Sequence, residues 1–351
     1  EIVEELLNTA NSIKQIFELF QHSETITLQY AITLVSLSAK QVNVEELLNT
    51  ANSVKQIFEL FQHSEDIALQ YTIALVNLST KQVNVEELLN TANSVKQIFE
   101  LFQHSEDIAL QYTIALVNLS TKQVNVEELL NTANSIKQIF EQFKQSEGIA
   151  LRYANVLFNL SVEQVNIKEL DHTTNSVKQI FEQFKQSEDI ALQYAKTLVN
   201  LSAEQTKSKE IAKTTQQIQN IYKKFNESKD IALYYGMVLV NLSTKQINVE
   251  ERRNTTNSIK QIFELFQHSE DIALRYAMVL FNLAKLQNER DEVGNTVKQI
   301  LAILTNLSSV KIFEIVVKIF ENNPDTPLDT NDIPFTSLTK ILDKLCFYSN
   351  D

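Results

Sequence analysis

Apolar residues recur at steps of three and four along most of the chain, which is the spacing that lets an α-helix bury one face. One such set fills residues 44–61: Val44, Leu47, Leu48, Ala51, Val54, Ile57, Phe58 and Phe61. A second set follows in residues 67–78: Ile67, Leu69, Tyr71, Ile73, Ala74, Leu75, Val76 and Leu78. The pattern predicts two consecutive helices, A and B, and the wide apolar stripe of helix B predicts packing on more than one neighbour.

Polar residues mark where both helices begin. Asn43 precedes helix A and is followed three residues later by Glu46, a pairing typical of a capped helix start. Ser64 precedes helix B, and Glu65 and Asp66 follow it where carboxylates suit the positive end of the helix dipole. The sequence therefore predicts N-caps at Asn43 and Ser64.

This pair of helices repeats with a period of 41 residues. Residues 44–84 recur without a change at residues 85–125. Steps of 41 from Phe17 reach Phe58, Phe99, Phe140, Phe181, Tyr222 and Phe263, and the same steps from Tyr30 reach Tyr71, Tyr112, Tyr153, Tyr194, Tyr235 and Tyr276. Seven units in fixed register predict an all-α solenoid, in which each copy buries its apolar faces against its neighbours. Aromatic residues at helical spacing are expected to pack in the core.

The period ends after residue 287. Residues 291–306 and 310–321 keep helical spacing, all three prolines lie in the segment NNPDTPLDTNDIP, and an amphipathic stretch follows at residues 335–347. A repeat array needs atypical ends, because its last unit would otherwise expose an apolar face. We therefore expect a seven-repeat solenoid over residues 1–287 and C-terminal capping helices with a Pro-containing loop over residues 288–351.

Composition narrows the functional classes. Three Gly and three Pro in 351 residues disfavour sheets and most catalytic loops, and no nucleotide-binding, nucleophile or zinc-protease motif occurs, so we expect no enzyme and no cofactor. The net charge of -13 disfavours nucleic acid and favours basic partners. With one Cys, no long apolar run and no visible signal peptide, we expect a cytoplasmic protein without a membrane association. Because the chain begins with Glu1 and not Met, we expect a piece of a longer or processed protein.

The stretch ANSVKQIFELFQHSEDIALQYTIALVNLS resembles the last two helices of armadillo repeats, and 41 residues is close to the armadillo length. The resemblance implies a right-handed superhelix with a concave groove, where the Asn of the last helix holds an extended peptide. Two departures stand out. No Gly separates the first armadillo helix from the second, so residues near Asn52 and Ser53 would continue one long helix A. The register of the groove Trp holds Ile73, Ile114, Asn155, Lys196, Met237 and Met278. HEAT and tetratricopeptide arrays are similar as well.

Two registers of helix B are the candidate binding residues. The first is Asn77, Asn118, Asn159, Asn200, Asn241 and Asn282, with Ser36 in the first repeat. An amide can bond to a peptide backbone, but the same column could equally form a structural ladder between repeats. The second register is the position directly before the Tyr that recurs in every helix B. Its residues vary: Gln70, Gln111, Arg152, Gln193, Tyr234 and Arg275. Long, mostly polar side chains here predict an exposed surface.

Other polar features have simpler interpretations. His22, His63, His104 and His268 share a register in the turn from helix A to helix B, but neighbouring repeats lie too far apart to share a zinc ion, so we expect no metal site. The sixth repeat is rich in lysine, which indicates either a solvated face or a contact with an anion. These lysines are Lys207, Lys209, Lys213, Lys223, Lys224 and Lys229. Arg252 occupies a register of Leu and Ile, where it must reach solvent, find a partner or open the stack.

Taken together, these features predict a protein-protein interaction module that binds a peptide or protein along the helix B surface. Two alternatives remain open. The identical second and third repeats favour a structural spacer or oligomerisation scaffold, because a groove that selects side chains would be expected to diversify. The array could also be a regulatory arm of a larger protein.

Overall fold

The chain is all-helical over the residues that a computed structural model describes, namely 2–287, 289–324, 326, 336, 339 and 340. The A helices of the seven repeats are α1 (Ile2–Leu19), α3 (Val44–Leu60), α5 (Val85–Leu101), α7 (Val126–Gln142), α9 (Ile167–Gln183), α11 (Ser208–Lys224) and α13 (Val249–Leu265). The B helices are α2 (Glu24–Ser38), α4 (Glu65–Ser79), α6 (Glu106–Ser120), α8 (Glu147–Glu163), α10 (Glu188–Glu204), α12 (Lys229–Lys245) and α14 (Glu270–Ala284). Two further helices, α15 (Arg290–Asn306) and α16 (Val310–Asn322), follow.

The predicted all-α solenoid of helical repeats is confirmed. Each repeat has two helices, and each helix A is continuous through the positions of Asn52 and Ser53, where armadillo units break. No strand occurs among the described residues. The right-handed superhelix stays a prediction.

The helices belong to two compact units. Unit 1 comprises residues 1–164 and 175–190, and unit 2 comprises residues 165–174 and 191–351. In unit 1, each of α2, α4 and α6 packs on its own helix A, on the next helix A and on the next helix B. Unit 2 follows the same rule at α12, which packs on α11, α13 and α14. Helix B is therefore the inner element of the stack, which agrees with its wide apolar stripe.

Local sequence starts both helices of the second repeat as predicted. The Asn43 side chain accepts a hydrogen bond of 2.8 Å from the backbone N–H of Glu45, and Ser64 Oγ accepts one of 3.4 Å from the N–H of Ile67. The core of the second repeat then contains Leu47, Ile57, Ile67 and Leu78, all buried, and burial of a side chain of this size stabilises a protein by about 1.5–3 kcal/mol. Phe58 and Tyr71 lie at the edge of this core with ring centroids 5.7 Å apart.

A buried polar bond connects helix B to the next helix A. Thr91 Oγ1 donates to Gln82 Oε1 at 2.9 Å, and the Gln belongs to the turn between the two helices. The same bond, with its partners nine positions apart in sequence, recurs at Thr50–Gln41, Thr132–Gln123, Thr214–Gln205, Thr255–Gln246 and Thr296–Gln287. It fixes the turn geometry and satisfies a Gln side chain that would be costly to bury without a partner.

Helices α15 and α16 form an eighth pair on the end of unit 2. Thr296 bonds to Gln287 as Thr255 does to Gln246, and Ser309 Oγ accepts from the N–H of Ile312 at 3.5 Å, as Ser269 Oγ does from the N–H of Ile272. Ser309 follows Ser269 by 40 residues, so the period is one residue short. The predicted Pro-containing loop and the stretch 335–347 lie almost entirely outside the described residues, as does Cys346.

Candidate functional site

The two predicted binding registers lie on one face of each helix B, which we call the B face. In α6 the interior positions Ile108, Tyr112 and Leu119 are buried, whereas Gln111 and Asn118, seven residues apart, are partly exposed. The other candidates are also partly exposed, except for Asn282, which is buried: Asn77, Asn159, Asn200, Asn241, Gln70, Arg152, Gln193, Tyr234 and Arg275. The structure therefore brings the predicted residues of each repeat together on the B face.

The Asn column forms bonds between repeats. Asn118 Nδ2 donates to Ser79 Oγ of the preceding helix B at 2.7 Å. Equivalent rungs of 2.8–2.9 Å are Asn77–Ser38, Asn159–Ser120, Asn241–Ser202 and Asn282–Ser243. The Ser hydroxyl in turn donates to a carbonyl of its own helix, as Ser79 does to Val76 at 2.7 Å. This is the structural ladder, and each rung is expected to contribute about 0.5–1.5 kcal/mol.

The ladder uses only part of each amide. Within the described part of the chain, Oδ1 of Asn77, Asn118 and Asn159 has no hydrogen-bond partner. Because the rung through Nδ2 fixes the rotamer, each of these oxygens keeps one orientation on the B face. A structural role and a free acceptor therefore coexist in the same side chain. Binding by these residues stays a prediction.

The first repeat ends the ladder. Ser36 takes the place of Asn, and its hydroxyl donates to the carbonyl of Ile32 in its own helix at 2.9 Å. In unit 2, the variable registers contact each other: Lys196 Nζ lies 6.0 Å from the centroid of the Tyr234 ring. Arg275 Nη1 approaches Met278 Sδ at 3.6 Å, which keeps this guanidinium on the surface of its own helix. Outside the identical second and third repeats, the B face thus changes its side chains while the Asn–Ser rung recurs.

The remaining polar candidates fall on exposed surface, with one exception. His22, His63, His104 and His268 are exposed, and the described residues include no group of three His, Cys, Asp or Glu that could hold a metal. The six lysines of the sixth repeat are exposed as well, and Lys207 pairs with Glu210 at 3.3 Å. Arg252 is the exception, because it is only 7% exposed and donates from Nε to the carbonyl of Gln246 at 2.8 Å and from Nη1 to the carbonyl of Asn282.

Sequence reasoning missed a set of pockets between neighbouring A helices. One of them, with a volume of about 240 Å³, lies between α5 and α7 and is lined by Phe99, Glu100, Tyr112, Ser135 and Gln138, among others. Burial, together with the nearby Glu100 carboxylate, raises the pKa of Tyr112 to about 12, so the phenol stays protonated. Tyr71 and Tyr153 have pKa values of about 12 for the same reasons. The sequence signal was present in the Tyr column, which we had assigned to packing alone.

The negative charge is concentrated in one unit. Unit 1 contains 11 Lys and Arg against 23 Asp and Glu, whereas unit 2 contains 20 against 21. Unit 1 therefore carries -12 of the net charge of -13. A partner attracted by this charge would be attracted to unit 1.

Comparisons with known proteins assign no family. No family model and no curated protein matches the chain. A solved structure from work titled "Computational Design of Self-Assembling Cyclic Protein Homooligomers" aligns with 15% identity over 91% of this chain and 92% of the other, with a TM-score of 0.11. A likeness at that TM-score carries no inference about function. Among the described helices, none has both the length and the apolar character required to cross a membrane.

Proposed function

We propose that this chain is a non-enzymatic protein-binding module of armadillo or HEAT type, which binds a peptide or protein along its B face. The observation that carries the proposal is the fixed, unpartnered Oδ1 of Asn77, Asn118 and Asn159. An acceptor that recurs once per repeat suits the N–H groups of an extended backbone. The varying register beside it, Gln111 and Arg152 for example, would supply selectivity.

A structural spacer is the second candidate, and the ladder itself favours it. The rungs join successive repeats, and the second and third repeats are identical, which an array selected for length and regularity would tolerate. The two candidates differ in one respect. A spacer needs the rung but has no use for the free Oδ1.

Two variants separate the rung from the free acceptor. Ser79→Ala removes the acceptor of the rung and leaves the Asn118 amide in place, whereas Asn118→Ala removes both. Each variant is expected to lower the free energy of unfolding by about 1–3 kcal/mol, because a partly or fully buried polar group loses its partner. Partners are captured from an extract with the full chain, and their affinity for both variants is then measured.

Binding on the B face predicts that Asn118→Ala weakens the captured partner more than Ser79→Ala does, at matched stability. Equal affinities for the parent and for both variants would leave the column with a structural role only. That result would favour the spacer.

A further inference from the structure

One edge of the stack is formed by the turns that lead from each helix A to its helix B. In the sixth repeat this turn covers residues 223–230, KKFNESKD, which contain three lysines and two acidic residues. In the seventh repeat it covers residues 264–271, ELFQHSED, which contain three acidic residues and no lysine or arginine. Because α12 packs on α14, the two turns are neighbours within unit 2, and their charges are opposite.

The charge is reversed register by register. Steps of 41 residues lead from Lys223 to Glu264 and from Lys229 to Glu270, and all four side chains are exposed. At both registers the other six repeats have Glu. Lys229 stands in the first turn of α12, where the helix dipole favours a carboxylate, so the stability of its own helix does not explain this lysine. A contact outside the helix would explain it.

The three lysines of the sixth turn are available for such a contact. Within the described part of the chain, Lys223, Lys224 and Lys229 form no ion pair, although acidic residues lie in the same turn. Lys224 Nζ lies 5.8 Å from the centroid of the Phe225 ring, and the Lys224 side chain is exposed as well. The three ammonium groups can therefore meet carboxylates of another molecule.

The carboxylates of the seventh turn are only partly used within the chain. Glu264 pairs with Lys260 at 3.8 Å, but both side chains are about half exposed, so this pair contributes little. Glu270 Oε1 accepts a hydrogen bond from Ser309 Oγ at 2.7 Å, and the Glu270 side chain is still exposed. Between the two glutamates, Leu265 is 67% exposed. The turn therefore presents two carboxylates beside an uncovered apolar side chain.

A two-fold axis would bring the basic turn of one chain onto the acidic turn of another. An axis that lies in the plane of the edge and passes between the two turns, across the stack, reverses the direction of the stack but keeps the order from helix A to helix B. The sixth turn of one chain then lies opposite the seventh turn of its partner, register by register, and the same contact is made twice. In this arrangement Lys223 faces the partner's Glu264, and Lys229 faces the partner's Glu270.

We propose that this chain pairs with a second copy of itself through the turns 223–230 and 264–271. In each half of the contact two lysines meet two glutamates, and the stem of Lys224 covers Leu265 of the partner subunit. One exposed ion pair contributes little, but pairs that form together in one symmetric contact act as a network. The edge is small and the net charge of the chain opposes association, so we expect a weak dimer that salt dissociates. The edge is separate from the B face, and the proposal does not rest on the function proposed for that face.

The test measures the molar mass of the full chain by analytical ultracentrifugation over a series of concentrations. Salt is set to about 0.1 M and about 1 M, where charges are screened beyond about 10 Å and about 3 Å, and dimers are expected only at the lower salt. Two variants exchange residues between the neighbouring turns, namely Lys223→Glu with Lys229→Glu and Glu264→Lys with Glu270→Lys. Each new side chain already occurs at its register in another repeat, so the fold should accept it, which circular dichroism checks.

Each variant places like charges opposite each other and is expected to weaken dimerisation more than about 10-fold. An equimolar mixture of the two variants has opposite charges in both halves of the contact again, so it is expected to dimerise as the parent does. Lys209→Glu with Lys213→Glu is the matched control. It changes the net charge as the lysine variant of the turn does, but near the start of α11, and it should leave dimerisation unchanged.

A parent chain that stays monomeric at the lower salt up to about 1 mM would overturn the proposal. Loss of the dimer in the control variant would overturn it as well, because net charge and not this edge would then govern association. If the lysine variant of the turn lost the dimer while Glu264→Lys with Glu270→Lys kept it, the basic turn would meet a different acidic surface and the two-fold contact would be wrong. A mixture that stayed monomeric would exclude the same contact.

Discussion

Replacing Arg252 by Leu and Lys285 by Thr together is expected to stabilise helices α13 and α14. Arg252 is buried at a register where the other repeats have Leu or Ile, and no carboxylate of the described residues forms an ion pair with it. Burial lowers the pKa of its guanidinium, which means that the charged form is destabilised there. Its bonds go to the carbonyls of Gln246 and Asn282, near the C-terminal ends of two B helices, where a cation is favourable.

The second substitution is needed because of a missing Thr. In three other repeats a Thr hydroxyl donates to the carbonyl of the ladder Asn at 2.7 Å, as Thr80–Asn77, Thr121–Asn118 and Thr244–Asn241. In the seventh repeat that Thr is Lys285, and Arg252 supplies the donor to Asn282 from another helix. The two departures from the repeat pattern therefore compensate each other.

The magnitudes follow from this geometry. Substitution of a buried charged group by a well-packed apolar one is neutral or stabilises by about 1–4 kcal/mol. Arg252→Leu alone also leaves the Asn282 carbonyl without its donor, which costs about 1–3 kcal/mol, so the single variant should be close to the parent. Lys285→Thr restores the donor at the loss of a cation–π contact of Lys285 Nζ with the Phe281 ring at 4.1 Å, worth about 0.5–1 kcal/mol. The double variant is then about 1–2 kcal/mol more stable than the single.

Hydrogen exchange of the amides in α13 and α14 measures this locally, because a repeat array need not unfold in two states. Arg252→Ala serves as the control and is expected to destabilise by about 2–5 kcal/mol, since it leaves a cavity. If the double variant proved no more stable than Arg252→Leu alone, the compensation between Arg252 and Lys285 would be refuted.

Four further predictions concern single features. Tyr222→Phe should stabilise by up to about 1 kcal/mol in thermal unfolding, because its buried hydroxyl has no partner and most other repeats have Phe there; a lower melting temperature would contradict this. Gly236→Ala should raise the free energy of unfolding by about 0.5–1 kcal/mol, because Gly236 lies within a helix and the new Cβ would meet Ile259 at 3.4 Å, which is an ordinary contact. A loss of stability would show that the contact is too tight. Hydrogen exchange should be faster in α1 than in α3, because Ile16 is 48% exposed and Ile57 only 2%; equal protection would contradict this. The free energy of unfolding should fall as the pH rises from about 10 to 12, because tyrosines ionise in the unfolded chain before they ionise in the folded one. Tyrosinate absorbance, recorded at the same pH values, follows this ionisation. The folded tyrosines with pKa values of about 12 are Tyr71, Tyr112, Tyr153, Tyr235 and Tyr276.

Helix starts and helix period could be predicted because both are local. Asn43 and Ser64 bond to backbone groups two and three residues away, so their caps are visible in a short window of sequence. The period of 41 residues needs only self-comparison. From these alone the two-helix repeat and its buried stripes follow.

The sequence predicted the ladder only as one of two alternatives, because the Ser that accepts each bond lies on a different helix and becomes a neighbour of the Asn only in the folded chain. Ser79 lies 39 residues before Asn118, and nothing in the local sequence says which face of one helix B meets the next. The pockets beside the tyrosines were not predicted from the sequence for a related reason. Tyr112 is a core residue by its ring, and whether its hydroxyl has a partner depends on the spacing of α5 and α7, which no sequence pattern encodes.

Arg252 illustrates a third limit. The sequence showed that a cation stands at an apolar register, and pairing was one of the outcomes considered, but its partners are two backbone carbonyls. Every residue has a carbonyl, so composition cannot single out these two. Only the approach of α13 to the ends of α12 and α14 identifies them.

The eighth helix pair shows what the two buried polar bonds do for the array. Between α14 and α15 the nine-residue spacing is kept, and the Gln287–Thr296 bond is present. Between α14 and α16 the period is one residue short, Ala284 stands where Ser would accept, and Asn322 bonds to Lys318 of its own helix. In this last pair the Gln–Thr bond is thus present where the nine-residue spacing is kept, and the rung is absent where the period is one residue short. Apolar stripes alone would tolerate small shifts of one helix along another, whereas an unmade buried bond is costly, so the rungs select one register for the stack.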